Sequence, residues 1–180
     1  MQKRIFVNPR VKDKVTVLKT AEETGGEYLL VEVELAPGGG TPKHYHSSFN
    51  ETFIPVKGVL GVDVGKHRLR LQGDQTATAS LNQVHRFYNP GKEPIFFQVK
   101  IFPAEQRFLE SLCIGYGLAD DGLTNNQGIP KKLDHLALLV QHSDTNFPGL
   151  LSIIAPFLRY RAKQARKKGL MKELMARYCK

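Results

Sequence analysis

The stretch from Gly38 to Gly58, GGGTPKHYHSSFNETFIPVKG, decides how this 180-residue chain is read. His44 and His46 stand two apart. Alternate residues of a β-strand point to one face, so both imidazoles can converge on a single ion. Glu51 is an odd number of positions from each and would point away on one unbroken strand. Ser47 to Asn50, SSFN, is turn chemistry, and a break there resets the phase so that the next strand aims Glu51 at the same interior. Downstream, GDQTATASLNQVHRFYN supplies His85 on a later strand, with Phe87 and Asn89 on its own face. Three neutral imidazoles and one carboxylate suit one divalent transition metal, with Fe, Mn, Ni, Zn and Cu all open at this point. In octahedral geometry such a set leaves positions free for water or a chelating ligand.

Outward from this stretch, residues 1 to 103 read as short strands, because β-branched and aromatic runs are bounded by Gly, Pro, Asn and Asp. The expected strands are Arg4 to Val7, Lys14 to Leu18, Tyr28 to Leu35, Glu51 to Val56, Val59 to Val64, His67 to Leu71, Thr76 to Ser80, His85 to Tyr88 and Pro94 to Phe102. Gly65 and Lys66 form a two-residue hairpin connection, so the sheet is antiparallel there. Many short, evenly spaced strands imply a sandwich or barrel.

After Pro103 the texture becomes helical. AEQRFLESLC spaces Phe108, Leu109 and Leu112 for a helix, which Gly115 and Gly117 are expected to end. GYGLADDGLTNNQGIP reads as a loop and KKLDHLALLVQH as a second helix. Asn146 is expected to cap a further turn. The apolar run from Leu150 to Tyr160 should kink or split at Pro156. Leu170, Met171, Leu174, Met175 and Tyr178 share one face of a last helix.

The net charge of +9 is uneven: from Pro156 to Lys180 nine Lys or Arg stand against Glu173 alone, which places +8 in that tail. No zinc-finger or RNA-recognition pattern accompanies it, so nucleic acid is not an expected partner. An amphipathic basic helix can lie on an anionic membrane surface, but packing of the apolar run on the barrel or a second subunit is the preferred reading. Cys113 and Cys179 show no metal-ribbon spacing and read as inert thiols. No secretory signal or spanning segment is apparent, and a cytoplasmic location is expected.

The first segment resembles the first motif of the cupin family: a Gly, five residues, HxH, three or four residues, Glu, six residues and Gly. Gly38, His44, His46, Glu51 and Gly58 match it in full. The second motif is matched by Gly73, His85 and Asn89, with one extra residue and with Ser80 and Asn82 where Pro and Gly are usual. The resemblance covers about residues 25 to 102 and implies the jelly-roll barrel; with the strand and helix readings, the fold expected is mainly β, a cupin barrel over residues 1–103 with a C-terminal α-helical extension over residues 104–180. The resemblance also implies His44, His46, Glu51 and His85 as metal ligands and a homodimer. Phe53, Phe87 and Gln98 are pocket candidates; alternating aromatics in strands can equally be plain core. Tyr45 should point outward if His44 points in. The function expected is a metal-dependent, dioxygenase-like enzyme acting on a small organic acid or similar chelating substrate. A non-catalytic ligand-sensing module and a metal-dependent isomerase or decarboxylase stand as alternatives.

Overall fold

The architecture was obtained as a computed structural model describing residues 4–179, without the side chains of Leu150 and Leu151. Nine strands form: β1 Ile5–Asn8, β2 Asp13–Lys19, β3 Leu29–Leu35, β4 Asn50–Lys57, β5 Leu60–Val64, β6 His67–Leu71, β7 Ala77–Ala79, β8 His85–Tyr88 and β9 Ile95–Phe102. Each overlaps an expected strand. Burial alternates along β2, β3 and β9, whereas β5 is buried along its whole length. On β3, Leu29, Val31, Val33 and Leu35 face in while Glu32 and Glu34 face out, and on β9, Ile95, Phe97, Val99 and Ile101 face in.

All pairing is antiparallel. A six-stranded sheet runs β1-β2-β3-β9-β4-β7 and faces a three-stranded sheet, β6-β5-β8. The bridges Gly40↔Tyr88 and His44↔His85 lay the segment before β4 along the free edge of β8. The two inner faces close on Leu29, Phe49, Phe53, Leu60, Val62, Phe97 and Ile101, each almost fully buried. Burial of this apolar surface is the principal favourable term in the barrel's stability. Two packed antiparallel sheets with this crossing order are a jelly roll.

Four α-helices follow: α1 Gln106–Asp120, α2 Leu133–His142, α3 Ala155–Lys167 and α4 Leu170–Tyr178. The expectation that Gly115 and Gly117 end the first helix is not met, since α1 runs through both. The reason at Gly117 is close packing: the ring of Tyr178 on α4 occupies the space a Cβ there would need. Pro156 does split the apolar run. Gly149–Ile154 forms a 3₁₀ turn and Pro156 sits in the first turn of α3, where its missing N–H leaves no bond unmade.

Helix α1 is a wall shared by two cores. Leu109, Cys113 and Tyr116 belong to the barrel core, whereas Ile114 and Leu118 pack with Leu138, Leu158, Ala162 and Leu174 of the other helices. Phe157 and Tyr160 lie on the outer face of α3 and are exposed, beside Arg159 and Lys163. Among the described residues, no helix is long and apolar enough to cross a membrane.

Candidate metal centre

His44 and His46 come from the segment beside β8, Glu51 from β4 and His85 from the start of β8. The chain bends at Ser47 and Ser48, and this break restores the inward phase of Glu51. One ligand atom from each of the four residues lies within 4.8 Å of all the others, a grouping that could hold a metal ion. His46, Glu51 and His85 are buried and His44 is half-buried.

The orientation of each imidazole is set from behind. Nδ1 of His44 donates to the carbonyl of Pro42 at 2.8 Å, Nδ1 of His46 to that of Asp144 at 3.0 Å, and Nδ1 of His85 to that of Gln83 at 2.8 Å. A carbonyl can only accept, so all three Nδ1 atoms carry a proton and all three Nε2 atoms face the cluster. Outer hydrogen bonds of this kind are how proteins fix the tautomer of metal-binding histidines. Nε2 of His46 is buried with no hydrogen-bond partner among the described residues, 3.8 Å from Glu51 Oε2. A lone pair left bare inside a protein is costly unless something uses it, and a cation is the partner this site's chemistry fits.

The electrostatics agree. Burial, then the charge of His85, lowers the His44 pKa to about 4, and burial likewise lowers that of His46, so both stay neutral near pH 7. Burial opposes the charged form of Glu51, but the hydrogen bond from His85 and the charges of the three histidines outweigh it and bring its carboxyl to about 2. His85 is held up, against burial, by its 2.9 Å hydrogen bond to Glu51 and by that carboxylate's charge. Its proton thus sits where a divalent ion would compete for the same atoms.

A cavity of about 300 Å³ adjoins the cluster. Its walls are largely apolar, with Val15, Val33, Phe87, Phe108, Leu112 and Phe147 among them. Of the pocket candidates, Phe87 lines this cavity. Phe53 lies fully buried in the core, its ring 6.0 Å from that of His85 and 6.2 Å from that of Phe87. Gln98 is on the opposite face of β9 from the inward Phe97 and Val99. Tyr45 turns from the cavity to line a separate cleft against α2 and α3. Asn89 serves the backbone, donating to the carbonyls of Leu35 and Glu93.

Three residues with a hand in the site escaped the sequence. Asp144, just after α2, takes hydrogen bonds from the amide and hydroxyl groups of both Ser47 and Ser48 while its own carbonyl orients His46. Asp13 and Tyr116 line the cavity. The only signal for Asp144 was the turn composition of SDTN. Asn82, where the second motif usually has Gly, adopts φ +61° and donates its amide to the His46 carbonyl at 2.7 Å. Asn tolerates this left-handed conformation better than most residues, so it serves at this turn before His85.

Residues 31–101, from β3 to β9, match the family model described as Cupin domain. Over these residues, less than half of the chain, the sequence is similar to a cupin domain. A curated relative, the tetracenomycin polyketide synthase protein TcmJ of Streptomyces glaucescens, is 32% identical over 79 residues, covering 44% of this chain and 53% of that protein. The chain thus spans about half the length of this relative. Among solved structures, a predicted oxalate decarboxylase from Thermotoga maritima is 16% identical with TM-score 0.48, covering 50% of this chain and 79% of that one. The polyketide cyclase RemF from Streptomyces resistomycificus is 17% identical with TM-score 0.45, covering 51% and 66%.

Proposed function

We propose that this chain is a metal-dependent, dioxygenase-like cupin enzyme in which His44, His46, Glu51 and His85 hold one divalent transition metal, and a small chelating organic molecule reaches it from the cavity. The observation that carries the reading is the common orientation of the three imidazoles. Each Nδ1–H is tied to a backbone carbonyl, so every Nε2 meets Glu51 in one buried cluster. When bound, the metal would supply Lewis-acid polarisation and, if redox-active, electron transfer. The chain's own part is to orient and to exclude water. Glu51 contributes the anionic ligand, Phe49 stacks on His46 with ring centroids 4.2 Å apart, and Phe87, Phe108 and Phe147 wall off solvent.

A non-catalytic ligand-binding module is the second reading. It is favoured by the cavity wall, where among the described lining residues Asp13 and Tyr116 are the titratable groups outside the four ligands. Oxygen consumption by iron-loaded protein, offered a panel of small chelating acids and enediols, separates the two. Uptake with at least one compound, abolished in His46→Ala, is the expected result. Tight binding with neither uptake nor product supports the binding module, and product without uptake supports an isomerase or decarboxylase.

A further inference from the structure

The cavity has a second polar pole that the metal cluster does not use. Asp13 opens β2 at the register of Leu35, whereas Glu51 stands, through Ile101 of β9, at the register of Leu29. Asp13 and Glu51 are therefore separated by three strand positions across the sheet and by six residues along it. Helix α1 roofs the space between them. Phe108, whose ring meets that of Phe49 at 5.8 Å, lies over the metal side, and Tyr116, which meets Phe6 at 6.1 Å, lies over the Asp13 side.

At this far pole the Tyr116 hydroxyl donates to Asp13 Oδ2 at 2.7 Å. Among the described residues Oδ1 of Asp13 has no hydrogen-bond partner, and neither has Oγ of Ser111, five residues before Tyr116 on α1. All three residues line the cavity and are more than nine-tenths buried. Among the described residues no Lys or Arg forms a salt bridge with Asp13. A buried carboxylate oxygen with nothing to accept is an expensive group to keep unless a ligand completes it. The surrounding Val11, Val15, Val31 and Val33 admit only an apolar body. An ammonium would have to surrender its hydration for a single carboxylate, whereas a neutral hydroxyl surrenders far less.

We propose that Asp13, supported by Tyr116, is a binding subsite for the hydroxyl of a neutral, largely apolar alcohol or phenol, whose other end faces the metal cluster. This rests on the reading of the cavity as the ligand site of that cluster. Asp13 selects the ligand by accepting its hydroxyl hydrogen at Oδ1, while the Tyr116 hydroxyl keeps Oδ2 occupied and the carboxylate in place.

The test uses 2-naphthol and its methyl ether as fluorescent probes. The chain has no Trp, so their emission can be followed without overlap from the protein. Binding is titrated with metal-loaded and chelator-treated full-length protein, metal content being checked by elemental analysis. Wild type is expected to bind 2-naphthol at least tenfold more tightly than the ether with or without metal. Asp13→Asn should bring the two probes within about twofold, one hydrogen bond to a charged group being worth roughly that tenfold. Tyr116→Phe should reduce the preference partially, and circular dichroism confirms that both variants are folded. Equal binding of the two probes by wild type overturns the subsite, as does a preference that survives Asp13→Asn or a failure to bind 2-naphthol at all. A preference seen only with metal places the hydroxyl at the cluster and also overturns it, while leaving the metal reading intact.

Discussion

At the scale of single residues, the site is governed by which groups are left with work to do. His46 keeps a bare Nε2 and Asp13 a bare Oδ1, at opposite ends of one cavity. Burial pushes the Asp13 carboxyl up to about 6, against the Tyr116 hydrogen bond and its own amide. In the unfolded chain the same group titrates near its ordinary value of about 4. The folded state therefore holds a proton that the unfolded state has released. The stability this contributes is complete below about pH 4 and is lost as pH rises through about 6. Asp13→Asn, which still accepts from Tyr116, should remove the dependence and be the more stable protein at pH 7, by about 3 kcal/mol at most. Denaturant unfolding of both proteins at intervals from pH 4 to 8 checks this: the curves should converge at the acid end and separate above it. A wild type that gains on the variant with rising pH would contradict the assignment.

At the scale of elements, the barrel was legible and the contacts between distant elements were not. Among the described residues, all nine strands overlap runs of β-branched and aromatic residues bounded by turn residues, and the phase break at Ser47 and Ser48 was readable because SSFN is turn chemistry. The end of α1 was misread because Gly117 looks like a helix terminator unless the Tyr178 ring packed against it is known. The ligands were legible because their spacing is local. Asp144 was not, since it reaches His46 across 98 residues of sequence and works partly through its backbone carbonyl. That loop, entered from α2 with Asp144 at φ +50°, straps the ligand segment to the helical layer. Asp144→Ala removes the carboxylate from Ser47 and Ser48 and loosens the support behind His46. Loss of such support costs metal affinity about 10- to 100-fold. Competition with a chromogenic chelator should show a weakening in that range with the helical signal unchanged; unaltered affinity would show that the carboxylate holds only the loop.

At the scale of the whole molecule, the helices complete the site as well as covering the barrel. The cupin match ends at residue 101, yet Phe108, Ser111, Leu112, Tyr116, Leu139 and Phe147 roof the cavity from beyond it. The same α1 that roofs it also anchors the second core, so the cavity and the helical layer are built on one element. The basic tail faces away: α3 buries Leu158, Ala162 and Ala165 and leaves Arg159, Lys163 and Lys167 in solvent. Everything proposed for the cavity depends on the cluster at its near end. The most direct test is elemental analysis of protein purified without a metal-affinity tag, wild type beside His46→Ala. About one transition metal ion per chain in wild type, lost from the variant, is the result expected of a four-ligand site. A wild type that stays metal-free after reconstitution with Fe, Mn, Ni and Zn in turn, or a variant that retains the metal in full, would contradict it.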